Sequence, residues 1–139
     1  MSEANAWSTL RSHLINLRPL PHIQRFEDRL TGGIPDTNVC FDGTEFWLEG
    51  KYLDKLPKRD TTLVRVDLRA DQALWHENRQ IAGGKTFVWI RIRNLGWQLW
   101  SSRFRSLQDG VPLNAFLQEP IFKSAKEMVA EIVRQIKEK

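Results

Sequence analysis

Two β-type runs, Thr37–Asp42 and Thr44–Lys51, meet at Asp42-Gly43. This dipeptide accepts the positive φ angles of a tight type I′ turn, so the two runs are predicted to form an antiparallel hairpin. No other stretch of the chain restricts its folding so strongly. The hairpin carries the strand after Asp36 back against the strand holding Glu49, which stands thirteen positions after that aspartate. Residues two apart on a strand share a face, so Glu49 and Lys51 project together.

The flanking segments fill out a small mixed domain. Trp7, Leu10, Leu14 and Leu17 recur at helical spacing and predict an amphipathic helix from Glu3 to Leu17. Pro19 and Pro21 interrupt it, and a second short helix is expected from His22 to Leu30, stopped by Thr31-Gly32-Gly33. Residues 53–62 read as an exposed basic loop. Asp67 to Ile81 reads as a helix with Leu68, Gln72, Trp75 and Arg79 along one side, ended by Ala82-Gly83-Gly84. Thr86–Arg93 is the clearest strand, with Val88, Ile90 and Ile92 facing one way and Phe87, Trp89, Arg91 and Arg93 the other. Asn94-Leu95-Gly96 turns the chain into an antiparallel return strand, Trp97–Ser101. Ser124 with Glu127 three residues on is a capping box that opens a helix reaching about Ile136.

Composition narrows the class. At 139 residues the chain is about one domain long, and its net charge is +4. One cysteine, Cys40, excludes an intramolecular disulfide and a thiolate zinc cluster, and is expected in the core. No apolar run approaches the ~18–20 residues of a membrane span, and residues 1–20 lack the apolar core of a signal peptide, so a cytoplasmic protein is expected. The six Trp residues suit core filling or base stacking. His13, His22 and His76 have no ligand spacing, and Gly83-Gly84-Lys85 lacks the rest of a phosphate-binding loop, which excludes a nucleotide cofactor.

The constellation with chemistry in it is Gly33-Ile34-Pro35-Asp36 followed by Glu49-Gly50-Lys51. Two carboxylates brought together without a permanent partner form a hard-cation site suited to Mg²⁺ or Mn²⁺. A lysine beside such a cation can orient or deprotonate a water. The cation lowers that water's pKa and neutralises phosphate charge, as phosphodiester hydrolysis requires. Taken alone, Glu-x-Lys is more often an exposed salt pair, and Pro-Asp more often a turn.

Together these motifs resemble the PD-(D/E)xK nuclease superfamily, and within it the VRR-Nuc (virus-type replication–repair nuclease) domains. The matching pieces are Glu27 in the expected second helix, Gly33-Ile34-Pro35-Asp36, Glu49-Gly50-Lys51, Gln72 with Trp75, and the strand Thr86–Ile90 after Gly83-Gly84. The resemblance covers about residues 22–95. It implies a restriction-endonuclease-like α/β core, a small mixed β-sheet with flanking helices. That core would span about 22–101 of a single domain 1–139, with the terminal helices as elaborations. It implies Asp36 and Glu49 as direct metal ligands, the Gly50 backbone carbonyl as a further oxygen, and Lys51 as the residue that positions the attacking water. Glu27 would hold a metal-bound water or a second metal, although neighbouring Asp28 could face the site instead. Gln72 would orient Lys51 or touch the phosphate, or be an ordinary surface amide. Gly50 departs from the apolar or β-branched residue of many superfamily members, which predicts a slightly more mobile strand there.

Lys55, Lys58 and Arg59 are expected either to grip the DNA backbone or to form a solvated loop, and Trp75 to contact DNA. Arg91 and Arg93 mark a DNA track or the rim of a covered surface, the latter being favoured. Stand-alone viral-type members of the family resemble Holliday-junction resolvases that act as homodimers. The function expected is therefore a metal-dependent, structure-selective endonuclease of branched DNA, most readily four-way junctions, from a phage or bacterium. A nuclease of flaps, nicks or duplex ends is the alternative, as is a binding module with a vestigial metal site.

Overall fold

A computed structural model describes residues 2–26 and 32–138. Helix α1 (Glu3–Leu14) is capped by Ser2, whose Oγ accepts from the Asn5 N–H. Strand β1 (His22–Arg25) follows, then β2 (Thr37–Phe41) and β3 (Thr44–Leu53). The turn between β2 and β3 is as expected: Asp42 and Gly43 have φ of 52° and 84°.

The short β4 (Leu63–Val64) leads to helix α2 (Ala70–Ile81), and β5 (Lys85–Ile92) and β6 (Gly96–Trp100) complete the main sheet. Three small elements come next: α3 (Phe104–Asp109), β7 (Val111–Pro112) and α4 (Leu113–Phe116). Helix α5 (Ala125–Ile136) closes the chain, with Ser124 Oγ accepting from the Glu127 N–H as its capping box requires.

The sheet runs β1-β2-β3-β5-β6, with β4 and β7 forming a separate pair. Its strands are antiparallel except at the centre, where β3 and β5 lie parallel, joined by the crossover through α2. Two apolar layers cover it. Leu10 and Leu14 of α1 and Met128, Val129 and Ile132 of α5 pack with Phe46, Leu48, Phe87 and Trp89 on one side. On the other, Val64, Val66, Leu68, Ala73, Phe104 and Phe116 pack with Leu53, Val88, Ile90 and Ile92. The alternation read from β5 is thus buried on both faces, as befits a central parallel strand.

Three local expectations are corrected. Residues 22–25 form the edge strand β1, paired with β2 from His22 opposite Cys40 to Arg25 opposite Thr37, instead of a helix. Four residues gain more from an open strand edge, with Ile23 packed on the core, than from an isolated helical turn. Residues 27–30 of that expected helix, with Glu27 and Asp28, lie outside the described residues. Helix α2 begins three residues after Asp67, because Asp67 has a φ of 60° and Arg69 is extended. Cys40 is exposed, since Val39 and Phe41 take the core-facing positions of β2 and strand alternation sends Cys40 outward.

Candidate active site

The β2–β3 register places Thr37 opposite Leu48, so Asp36, one residue earlier, meets β3 at Glu49. Asp36 is held there from three directions. Thr37 Oγ1 donates to its Oδ1 at 3.0 Å, the Gly50 N–H donates to its Oδ2 at 3.3 Å, and its own carbonyl accepts from the Phe26 N–H at 2.8 Å. Gly50 thus also touches the acid pair through its amide N–H.

Gly50 itself has a packing reason. A Cβ at this position would lie 2.1 Å from the Trp89 indole, which occupies the space a side chain would take. Gly50 is itself buried, beneath a fully buried tryptophan.

Glu49 is only 5 % exposed, and its Oε1 has no hydrogen-bond partner. Burial, then the charge of Asp36, push its pKa up to about 8, against a lowering contribution from Lys51. An isolated buried carboxylate is costly, so in the absence of a cation the group keeps its proton. A third acid lies within reach of this field. The pKa of Glu3, in the first turn of α1, is raised by partial desolvation and then by Asp36, while Lys51 and Arg25 lower it. Nothing in the sequence singles out Glu3, because an acid behind a serine N-cap is already explained by the helix dipole.

Lys51 is anchored on the α2 side of the sheet. Its Nζ donates to the Asp67 carbonyl at 2.9 Å and to Gln72 Oε1 at 3.1 Å. Gln72 is buried, and the same oxygen accepts the Arg69 N–H at 3.0 Å, so one amide both starts the helix and orients the lysine. The left-handed backbone at Asp67 is what turns its carbonyl towards the ammonium.

Asp36, Glu49, Lys51 and Gln72 are thus brought together. Among the described residues no group of three or more His, Cys, Asp or Glu side chains is gathered tightly enough to hold a metal ion by themselves. The donor set present is two carboxyl groups, one with an unpartnered buried oxygen, and it fits a hard divalent cation completed by water or phosphate oxygens.

The other expected residues lie apart from this cluster. Lys55, Lys58 and Arg59 are exposed on the loop after β3. Trp75 packs edge-on against Trp47 with ring centroids 5.2 Å apart, and Arg79 lies over both indoles. Arg91 donates to the Gly96 carbonyl at 3.0 Å and covers Trp97, while Arg93 pairs with Asp54 at 2.9 Å, an arrangement that uses both arginines within the fold. His76, on α2, is fully buried, stacks on Phe104 at 4.7 Å and has neither ring nitrogen partnered. Burial lowers its pKa to about 4, so it is neutral at physiological pH.

No model of a known protein family matches the sequence, and no curated protein is detectably similar to it. In three dimensions the chain is similar to Hjc, a Holliday junction resolvase from the archaeal hyperthermophile Archaeoglobus fulgidus. The TM-score is 0.55 at 12% identity, over 94% of this chain and 97% of that chain. This likeness establishes the architecture: a mixed α/β, restriction-endonuclease-like fold, with a five-stranded sheet and flanking helices.

Proposed function

We propose that this protein is a metal-dependent, structure-selective DNA endonuclease of the VRR-Nuc type that resolves four-way junctions as a homodimer. The observation that carries the reading is Glu49. A buried carboxyl group with an unpartnered oxygen, beside Asp36 and flanked by a lysine aimed by two acceptors, is expensive to maintain in a fold that does not use it. The likeness in fold to a Holliday junction resolvase supports the choice of substrate.

Asp36 and Glu49 would hold Mg²⁺ or Mn²⁺, with Glu3 contributing negative charge nearby; Glu27 stays a candidate for a water-mediated ligand. The cation, when bound, neutralises phosphate charge and makes water a stronger acid. Lys51 orients the attacking water and offsets charge on the phosphoryl oxygens. Gln72 and the Asp67 carbonyl hold that ammonium in place. In the reaction the water oxygen bonds to phosphorus, one P–O ester bond breaks, and the departing alkoxide takes up a proton. Lys55, Lys58, Arg59 and Trp75 would contact DNA away from the scissile phosphate, largely without regard to sequence.

Incubation with a labelled four-way junction and Mg²⁺ or Mn²⁺ tests this reading. Paired symmetric incisions by a species that sediments as a dimer are the expected result. Binding without cleavage in either metal identifies a binding module, and trimming from free ends identifies an end-directed nuclease. Full cleavage by a monomer removes the dimer from the proposal.

A further inference from the structure

Arg25 has no part in the chemistry assigned so far, yet its guanidinium reaches to Asp36. It is the last residue of β1, and its side chain is 37% exposed. Its guanidinium stacks over the indole of Trp7 on α1, 4.5 Å from the ring centroid. Its Nη1 donates to Thr37 Oγ1 at 3.1 Å and stands 3.6 Å from Asp36 Oδ1, beyond hydrogen-bond range. Thr37 in turn donates to that same Asp36 oxygen. Two groups without charge, an indole and a hydroxyl, therefore aim the arginine, and the carboxylate does not hold it tightly.

The simplest account is a surface ion pair that pins β1 to β2. Such a pair, partly exposed and at this distance, contributes little stability. It does not explain why Trp7 of α1, the helix covering this face of the sheet, fixes the guanidinium plane. Stacking on an aromatic face removes rotamer freedom from an arginine in advance of binding, and a planar guanidinium suits the paired oxygens of a phosphate. A cation on Asp36 would also stand next to Arg25, and an anion bridging the two would remove that repulsion.

We propose that Arg25 is a phosphate-binding residue that gives up its contact with Asp36 when that carboxylate takes a divalent cation, and takes a non-bridging oxygen of the DNA phosphate at the acid pair instead. This assignment rests on the nuclease reading above. It makes Arg25 the counter-cation of the site before metal binds and a substrate ligand afterwards, with Trp7 holding the guanidinium in both states.

Two measurements on the full chain test it, each with Arg25→Ala and with Arg25→Gln, which keeps a donor for Thr37. The first is Mn²⁺ binding to the DNA-free protein, by calorimetry or by the loss of the free-ion resonance signal. Removing a cation beside a ligand oxygen is expected to tighten Mn²⁺ binding several-fold in both variants. Unchanged or weaker Mn²⁺ binding in the folded variants overturns the exchange with Asp36. The second is four-way-junction affinity in Ca²⁺ across a salt series. A loss of about tenfold is expected, with the slope of log affinity against log salt reduced by about one. Unchanged affinity and slope, with only a lowered melting temperature, overturn the phosphate assignment in favour of a strand clamp. If the wild-type chain binds no DNA, the nuclease reading fails and takes the phosphate role with it. The Mn²⁺ measurement then still decides whether Arg25 competes with a cation.

Discussion

Strand β3 presents two faces that obey different rules. Phe46 and Leu48, with Gly50 beneath Trp89, form an apolar surface against α1 and α5, where what matters is area removed from water and the absence of overlap. On the face turned to α2, Glu49 is buried with an oxygen unpartnered and Lys51 is held by Asp67 and Gln72. One face is stabilised by burial, and the other keeps a carboxyl group where burial disfavours its charge. The difference teaches that stability and chemistry are separable by one residue step along a strand, because alternate side chains enter different environments.

The largest expected effect tests that separation. Asp36→Asn, Glu49→Gln and Lys51→Met should each reduce junction cleavage by at least about 10²–10³-fold, while circular dichroism and melting curves show an intact fold. Melting that collapses in step with activity in all three variants would remove the distinction between the faces.

The pH dependence of stability sharpens it further. The Glu49 carboxyl holds its proton up to about 8 in the folded chain against an ordinary value of 4.5. Between those values the folded state binds the extra proton, so this contribution to stability is complete below 4.5 and is lost as pH rises towards 8. Glu49→Gln should flatten the fall in melting temperature of the metal-free protein across that window. His76 acts in the opposite direction. Its ordinary value of 6.5 is lowered to about 4, so its contribution is complete above 6.5 and is lost as pH falls towards 4. His76→Phe should blunt that acid loss, and a curve identical to wild type in either variant contradicts the corresponding assignment.

On the apolar face, Gly50→Ala should cost about 1–3 kcal/mol or more in denaturant unfolding, because the added carbon overlaps the Trp89 ring. Trp89→Leu in the same chain should recover part of the loss of stability caused by the alanine. No recovery would mean that the glycine serves the site and not the packing. The smallest change expected is in Gln72→Ala. Loss of one acceptor of Lys51 should lower the cleavage rate about tenfold, equivalent to ~1.4 kcal/mol, with KM little altered.

Much of this is legible in the sequence alone. The Asp42-Gly43 turn, the Ser124 cap, the alternation in β5 and the pairing of Glu49 with Lys51 on one face all follow from local rules, each written within a few neighbouring residues. The resemblance drawn from the Asp36, Glu49 and Lys51 spacing led to a fold that the similarity to Hjc bears out. Local rules failed at His22–Arg25, where an open strand edge outweighed a helical reading; at Cys40 the residue's apolar type misled, and strand alternation turned it outward.

What the sequence by itself determined is the hairpin, the terminal helices and the set of acid and base groups available, since short-range backbone preferences and side-chain periodicity settle these. Only the tertiary structure decided that α1 sets Glu3 near the acids and Trp7 against Arg25, that Asp67 and Gln72 both hold Lys51, and that Trp89 demands a glycine. Each of those contacts joins residues far apart in the chain. Their energies arise from burial and from charges meeting at a few ångströms, conditions that exist only once the sheet and its helices have packed.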